Sequence, residues 1–273
     1  MIEEKKEGTS QHHSPKETGK IVFITGATSG FGEACANIFA MNDYRLILNG
    51  RRKDRLVELK QKLEKEYSAS AYLLPFDVQN RTEVFAAIED LPQEWQDVDV
   101  LINNAGLALG RDLFDNANVD DWDTMINTNL KGLLYVSKAV VPFMSKRRTG
   151  HIINIGSTAA KDAYEGGSVY CASKAAVEMV SKSMRIDFLR HHIKVTAIHP
   201  GAAETEFSLV RFKGNEQAAS KVYDGFQPLT PENVADIIFY CASLPPHVCI
   251  NDLVVTCTQQ ADSLHFNKDG KRA

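Results

Sequence analysis

From residue 20 onward the chain alternates short, apolar runs with longer helical patterns. IVFIT (21–25), RLILN (45–49), AYLLPF (71–76), DVLIN (99–103), HIINIG (151–156), KVTAIH (194–199) and DLVVT (252–256) read as strands. Helical patterns fill about 30–42, 53–67, 80–90, 119–147 and 168–191. Thr230-Pro231-Glu232 opens a last helix, with Thr as N-cap and Pro at the first helical position. A strand with one wet face alternates apolar and polar residues, and several of these runs do not. Such strands are buried on both faces, which requires a parallel sheet between two helix layers. The expected fold is α/β, a doubly wound parallel sheet of about seven strands with helices on both faces.

A chain of 273 residues, 44% apolar and 24% charged, can bury one core of that size. Its net charge of -4 leaves no electrostatic footprint for nucleic acid or an acidic membrane surface. No apolar run reaches the roughly 18–20 residues of a membrane span. Residues 1–18 are polar, lack the apolar core of a signal peptide, and read as a disordered leader. His12-His13 within it reads as solvated tail. Residues 19–273 contain no Pro-, Gly- or Ser-rich linker and no repeat, so a single domain is expected. The five cysteines are scattered, odd in number and free of any CxxC pair. That fits reduced thiols in a cytoplasmic protein better than a disulfide framework, and no metal site is expected. Cys171, beside Tyr170, reads as a small residue on a packed helix.

The first strand runs straight into TGATSGFG, residues 25–32. Gly26, Gly30 and Gly32 stand where strand turns into helix, with Thr28, Ser29 and Phe31 between them. Glycine there permits a tight turn and close approach of a ligand to the backbone. The helix N-terminus beyond presents free N–H groups and a positive dipole end to a pyrophosphate. Glycines at such a junction can also be mere packing; the alternating α/β chain that follows favours the dinucleotide. Where an NAD site needs an acidic residue, after the second strand, this chain has Asn49, Gly50, Arg51 and Arg52. Two guanidinium forks suit a 2′-phosphate, so the cofactor expected is NADP. The bland alternative is a basic first turn of an exposed helix, but basic residues there oppose the helix dipole and call for an anion.

SVYCASKAAVEMV, residues 168–180, reads as helix and carries Tyr170 and Lys174. Four residues apart, they lie on one face, one above the other. An ammonium beside a phenol favours the phenolate, although a single such pair also arises by accident on a solvated face.

Over residues 20 to 260 these motifs resemble the short-chain dehydrogenase/reductase family. TGATSGFG is similar to its TGxxxGxG loop and Asn103-Asn104-Ala105-Gly106 to its NNAG signature. Asn129 in NTNLKG, Ser157 in INIGS, Tyr170 and Lys174 match its catalytic set. Asp77-Val78 matches the pair that meets adenine. Pro200-Gly201, with Ala203 and Thr205, resembles the loop that holds the nicotinamide carboxamide. The resemblance implies a single Rossmann-type catalytic domain over 19–273 and adds Asp77, Val78, Asn104, Ala105, Gly106, Tyr170, Lys174, Pro200, Gly201, Ala203 and Thr205 to the cofactor contacts. ETEFSLVRFKGNE (204–216), NNAGLALG (103–110) and LTPENVAD (229–236) resemble the NADP-dependent 3-hydroxy-acid dehydrogenase branch, whose members oxidise serine, allo-threonine and other short 3-hydroxy acids. Ala202-Ala203 departs from the larger apolar residues common in that branch.

On this reading Tyr170 moves the hydroxyl proton as hydride leaves carbon. Lys174 lowers the proton affinity of Tyr170 and holds the nicotinamide ribose, Ser157 orients the substrate oxygen, and Asn129 links Lys174 to water. Taken singly, Ser157 could cap a strand end and Asn129 could sit at a kink in a helix. The irregular segment 202–228 is expected to act as a lid. Phe207 and Phe212 would supply apolar cover, and the cation for an acid substrate would be Arg211, Lys213 or Arg111. The related family pairs the helices of 119–147 and 168–191 in a homotetramer, and Leu133, Leu134, Val136, Val140, Val177 and Met184 read as apolar over more than one face. Two other readings stay open: a broad NADPH-dependent carbonyl reductase, and a dinucleotide-binding sensor without catalysis.

Overall fold

The computed structural model describes residues 19–270; the polar leader expected over 1–18 lies outside them. In chain order the elements are β1 (Ile21–Ile24), α1 (Gly30–Met41), β2 (Arg45–Asn49), α2 (Lys53–Tyr67), β3 (Ala71–Leu74) and α3 (Arg81–Glu89). β4 (Val98–Asn103), α4 (Val119–Ile126), α5 (Leu133–Arg147), β5 (Gly150–Ile155), α6 (Ser168–Asp187) and β6 (Ile193–Pro200) follow. α7 (Glu206–Arg211), α8 (Glu216–Lys221), α9 (Pro231–Ser243) and β7 (Asp252–Val255) complete the series. All seven strands are parallel, in the order β3-β2-β1-β4-β5-β6-β7.

The continuous apolar runs have the expected cause. Val22 and Ile24 pack in one core layer with α1, α2 and α9, and Ile21 and Phe23 pack in the opposite layer with α3, α5 and α6. Successive residues of β1 therefore both need to be apolar. Chain order reverses at β1, whose neighbours are β2 and β4, and a crevice opens there beyond the strand ends.

Three elements differ from expectation. The single helix read over 119–147 is interrupted by a π-helical stretch at Asn127–Gly132. A Cβ at Gly132 would lie 2.7 Å from Val78 Cγ2, so the chain meets the site loops closely here. Single π turns concentrate at functional sites. The helix read over 168–191 ends at Asp187 and is followed by a 3-10 turn at Leu189–His191. The segment 202–228 is not irregular throughout, for it holds α7 and α8, six residues each. Thr205 caps α7 by accepting from the Phe207 N–H at 3.1 Å, and Asn215 caps α8 by accepting from the Ala218 N–H at 3.0 Å. Thr230 caps α9 as expected, within a capping box closed by Asn233. Among the described residues no helix is long and apolar enough to cross a membrane.

The apolar residues assigned to a second face of the 119–147 and 168–191 helices mostly face inward. Leu133, Val136, Val140, Val177 and Met184 are buried in the chain's own core. Leu134 is exposed, as are Met179 and Ile186.

His151 on β5 is buried, with Nε2 2.7 Å from Thr196 Oγ1. The Thr196 hydroxyl donates to the Ile250 carbonyl at 2.7 Å, so it accepts from the ring. Nδ1 has no partner, and a proton there would be buried unpaired. Burial accordingly lowers the pKa of His151 from 6.5 to about 3. The unfolded chain binds a proton below pH 6.5 that the folded chain refuses, so this part of the stability is full above 6.5 and is lost as pH falls toward 3. At about pH 4.5 the loss is roughly 2–3 kcal/mol. His151→Gln, which keeps the donor to Thr196, is expected to flatten the fall in urea-unfolding stability between pH 7 and 4.5. An unchanged fall would place the acid sensitivity elsewhere.

Candidate active site

A cavity of about 900 Å³ opens at the C-terminal ends of the strands. Its wall at the first strand-to-helix turn is the glycine loop. Gly26 has φ +65°, and a Cβ there would lie 3.0 Å from the Ala105 backbone. A Cβ at Gly32 would fall 2.2 Å from the Gly26 carbonyl oxygen, which is why only glycine lets the loop close. The loop is tied to the turn after β4. The Thr25 hydroxyl accepts from the Asn104 and Ala105 N–H groups, both at 3.0 Å, and the Asn104 side chain donates to the Thr25 and Gly26 carbonyls at 2.9 and 3.1 Å. Ser29, the N-cap of α1, makes no side-chain cap bond, so the first N–H groups of α1 are left to the cavity. Thr28, Ser29, Gly30 and Phe31 line it, as do Asp77, Val78, Asn104, Ala105 and Gly106. Gly32 and Asn129 stand behind the wall.

Arg51 and Arg52 lie at the corner beyond β2 and line the same cavity. Arg52 donates to the Thr28 hydroxyl at 3.0 Å and to Glu206 at 3.2 Å. Arg51 lies 3.6 Å from Asp77 and stays largely in solvent. Asn49 is a structural residue, since its buried amide donates to the Leu74 and Phe76 carbonyls.

Tyr170, Lys174 and Ser157 share the wall where β5 and α6 meet. Lys174 Nζ donates to the Ile155 carbonyl at 2.9 Å and lies 6.0 Å from the Tyr170 ring centre. Burial lowers its pKa from 10.5 to about 8. Burial pushes the Tyr170 phenol well above the ordinary range, with Tyr164 adding to it; a hydrogen bond from Ser157 and the Arg211 charge pull the other way. The sequence assigns the lowering to Lys174; in the structure the groups that lower it are Ser157 and Arg211, and burial outweighs them. Ser157 Oγ also accepts from the Ala159 N–H at 3.1 Å, so the hydroxyl caps a short 3-10 turn while facing the phenol. Asn129 sits in the π stretch, where it donates to the Leu107 carbonyl and accepts from the Leu107 N–H, both at 2.8 Å. A Cβ at Gly106 would lie 3.2 Å from Asn129 Oδ1 and 3.4 Å from Lys174 Nζ, so glycine lets both side chains approach the turn.

The segment after β6 forms the opposite wall. Pro200, Gly201, Ala203, Thr205, Phe207, Arg211 and Phe212 all face the cavity. The Phe207 ring lies 5.6 Å from that of Tyr170. Arg211 donates to the Gly110 carbonyl at 3.2 Å and to the Tyr164 hydroxyl at 3.0 Å, and its guanidinium stands 5.6 Å from the Tyr170 ring centre. Its Nη2 is buried without a hydrogen-bond partner. Arg111 also reaches the cavity, over Tyr164 at 5.6 Å. Lys213 does not, being paired with Asp121 of α4 at 2.8 Å.

Several wall residues escape sequence reasoning. Tyr164 lies between the two arginines. Gln260 accepts from the Ala202 N–H at 2.8 Å, and a Cβ at Gly201 would strike it at 2.1 Å. Ser263, Leu264, Phe266 and Lys268 bring the C-terminal segment to the cavity. That segment has no periodicity to announce it; the aromatic Phe266 in a polar stretch was its one local signal.

Residues 20–215 match the family described as short chain dehydrogenase. The chain is 47% identical over 232 residues to the NADP-dependent 3-hydroxy acid dehydrogenase YdfG of Salmonella typhi, covering 85% of this chain and 92% of that one. It is 44% identical over 242 residues to sulfoacetaldehyde reductase 2 of Chromohalobacter salexigens, covering 88% and 95%. The closed form of serine dehydrogenase complexed with NADP+ has a similar structure, with a TM-score of 0.84 and 45% identity over 88% of this chain and 96% of that one. Relatives so similar across nearly their whole length, together with the family match over most of the sheet, establish that this chain belongs to the short chain dehydrogenase family.

Proposed function

We propose that the protein is an NADP-dependent oxidoreductase that interconverts short 3-hydroxy acids, such as serine and allo-threonine, and their 3-oxo acids. The observation that carries the substrate class is Arg211, whose guanidinium stands 5.6 Å from the Tyr170 ring centre and whose Nη2 is buried without a partner. A buried guanidinium nitrogen without an acceptor favours a ligand that brings one, and a carboxylate does. The names of the 3-hydroxy acid and serine dehydrogenase relatives support the same reading.

The donor set fits a phosphorylated dinucleotide. Gly26, Gly32 and the uncapped end of α1 leave room and N–H groups for a pyrophosphate, and Arg51 and Arg52 supply guanidinium forks for a 2′-phosphate. Asp77 and Val78 would hold the adenine, Asn104, Ala105 and Gly106 would line the ribose side, and Pro200, Gly201, Ala203 and Thr205 would hold the carboxamide. The bound cofactor supplies the acceptor or donor of hydride. Ser157 donates to the substrate oxygen and orients it. Tyr170 takes the hydroxyl proton in oxidation and returns it in reduction. Lys174 would hold the ribose, and Asn129, through its two bonds to the Leu107 backbone, holds the turn that carries Gly106. Phe207 and Phe212 exclude water from above.

Serine, allo-threonine and 3-hydroxypropionate with oxidised NADP, followed by nicotinamide absorbance, test the reading directly. Arg211→Met is expected to raise KM for these acids by about 10- to 100-fold, the effect of one charge-assisted hydrogen bond, with little change in NADP affinity. Equal KM in variant and wild type removes the carboxylate assignment. A second reading, a broad NADPH-dependent carbonyl reductase, draws support from the apolar Leu107, Phe207 and Phe212 on the wall. It is distinguished by efficient turnover of uncharged ketones. A sensor without catalysis would show no turnover on either.

The reading extends to a single catalytic domain in a cytoplasmic homotetramer. Met179 and Ile186 lie two turns apart on one exposed face of α6, with Leu134 on α5. Light scattering coupled to gel filtration at micromolar concentration is expected to give four times the chain mass; a monomer's mass refutes it.

A further inference from the structure

We propose that His199 is a positioning residue that sets the backbone, and hence the hydroxyl, of Ser157; this rests on the role proposed above for Ser157. His199, one residue before the end of β6, is fully buried and does not line the cavity. Its Nδ1 stands 3.4 Å from the Ser157 backbone nitrogen and 3.2 Å from the Ser157 carbonyl oxygen. Its Nε2 lies 3.1 Å from Asp252 Oδ2 on β7. A Cβ at Gly156 would lie 2.3 Å from Nδ1, so the ring presses on the strand end that delivers Ser157.

The charges around the ring decide its tautomer. Asp252 faces it from β7 and also takes Lys161 Nζ at 3.1 Å. Lys161 is held in turn by Glu178 of α6 at 2.9 Å, and Glu178 by Lys182 at 2.6 Å. Burial outweighs Asp252 and keeps His199 below the ordinary histidine range. A neutral ring beside a carboxylate donates from Nε2, which leaves Nδ1 as an acceptor for the Ser157 N–H. Protonation reverses this: Nδ1–H then repels the Ser157 N–H and seeks the carbonyl instead. The N–H and the carbonyl belong to the two peptides that flank Ser157 Cα, so exchanging one partner for the other rotates the Ser157 backbone and moves Oγ, which already spends one lone pair on the Ala159 N–H. His199 thus holds Ser157 in its productive pose only while neutral, with Asp252 fixing the tautomer.

The test uses the full-length enzyme with a hydroxy acid and an uncharged ketone as substrates, kcat being followed against pH. His199→Leu is expected to lower kcat about 10- to 100-fold, with substrate KM and NADPH binding within about threefold of wild type. His199→Asn, whose Oδ1 replaces Nδ1 as acceptor, is expected to recover at least half of that loss on a logarithmic scale and to lack the acid limb of the wild-type profile. Asp252→Asn, on a partly exposed partner, removes the charge that favours the imidazolium and is expected to move that limb to lower pH. A profile identical to wild type in Asp252→Asn and His199→Asn overturns the proposal, as does a His199→Leu loss matched by an equal loss of NADPH binding. Histidine 15N spectra separate this failure from that of the functional reading. The signal missing in His199→Asn must show a neutral Nε2–H ring at pH 7 whether or not any substrate turns over, and an Nδ1–H or charged ring refutes the proposed tautomer.

Discussion

Tyr170→Phe is expected to lower kcat by about 10²- to 10⁴-fold while NADPH binds nearly as tightly as before. The substitution removes one oxygen and keeps the ring that packs against Phe207. The lost oxygen is the only part of the side chain placed to move the substrate proton. Lys174→Ala is expected to damage both turnover and cofactor binding, because Nζ anchors on the Ile155 carbonyl and borders Gly106. Stopped-flow absorbance of NADPH gives the rate and fluorescence titration the affinity. Turnover within tenfold of wild type in Tyr170→Phe would sink the proposed mechanism. The pH dependence has a sign as well. Lys174 is charged below about pH 8 and neutral above it, so a contribution that needs the ammonium fades on the alkaline side.

Replacing Arg51 and Arg52 together by Ala is expected to weaken NADP binding by about 3–6 kcal/mol, taking roughly 1.5–3 for each charge-assisted contact. NAD affinity should change little. The two residues do not contribute equally. Arg51 is the more solvent-exposed, and its contribution is screened, so the total falls toward the lower figure and Arg52→Ala carries most of it. Arg52 also bonds Glu206 at the start of α7, but Glu206 keeps Arg55 at 2.8 Å, so α7 stays tethered in the variant. Paired titrations with NADP and NAD check this. A parallel fall in both affinities means that the corner supports the loop and does not read the phosphate.

The amino-acid sequence by itself determined the parallel sheet, the glycine turn and the Tyr170–Lys174 pair. Each is a local signal. β1 is apolar at every position because both its faces are covered. Gly26 is required by its positive φ and Gly32 by the Gly26 carbonyl in the same turn, and the spacing of four in α6 is a property of any helix. The second apolar face read on α5 and α6 illustrates the limit of such signals. The apolar pattern implies that Val136, Val140 and Val177 are covered, but only packing shows by what, and they face the chain's own core. The two short helices α7 and α8 are too brief for periodicity to show, though Thr205 and Asn215 mark their starts. What the tertiary structure alone decided lies between residues distant in the chain. Gln260 meets Ala202 across 58 positions, His199 meets Asp252 across 53, and Asn129 meets Leu107 across 22. No periodicity encodes those contacts. They form because parallel strands bring their C-terminal ends to one edge of the sheet, where polar groups cut off from water must find partners in one another.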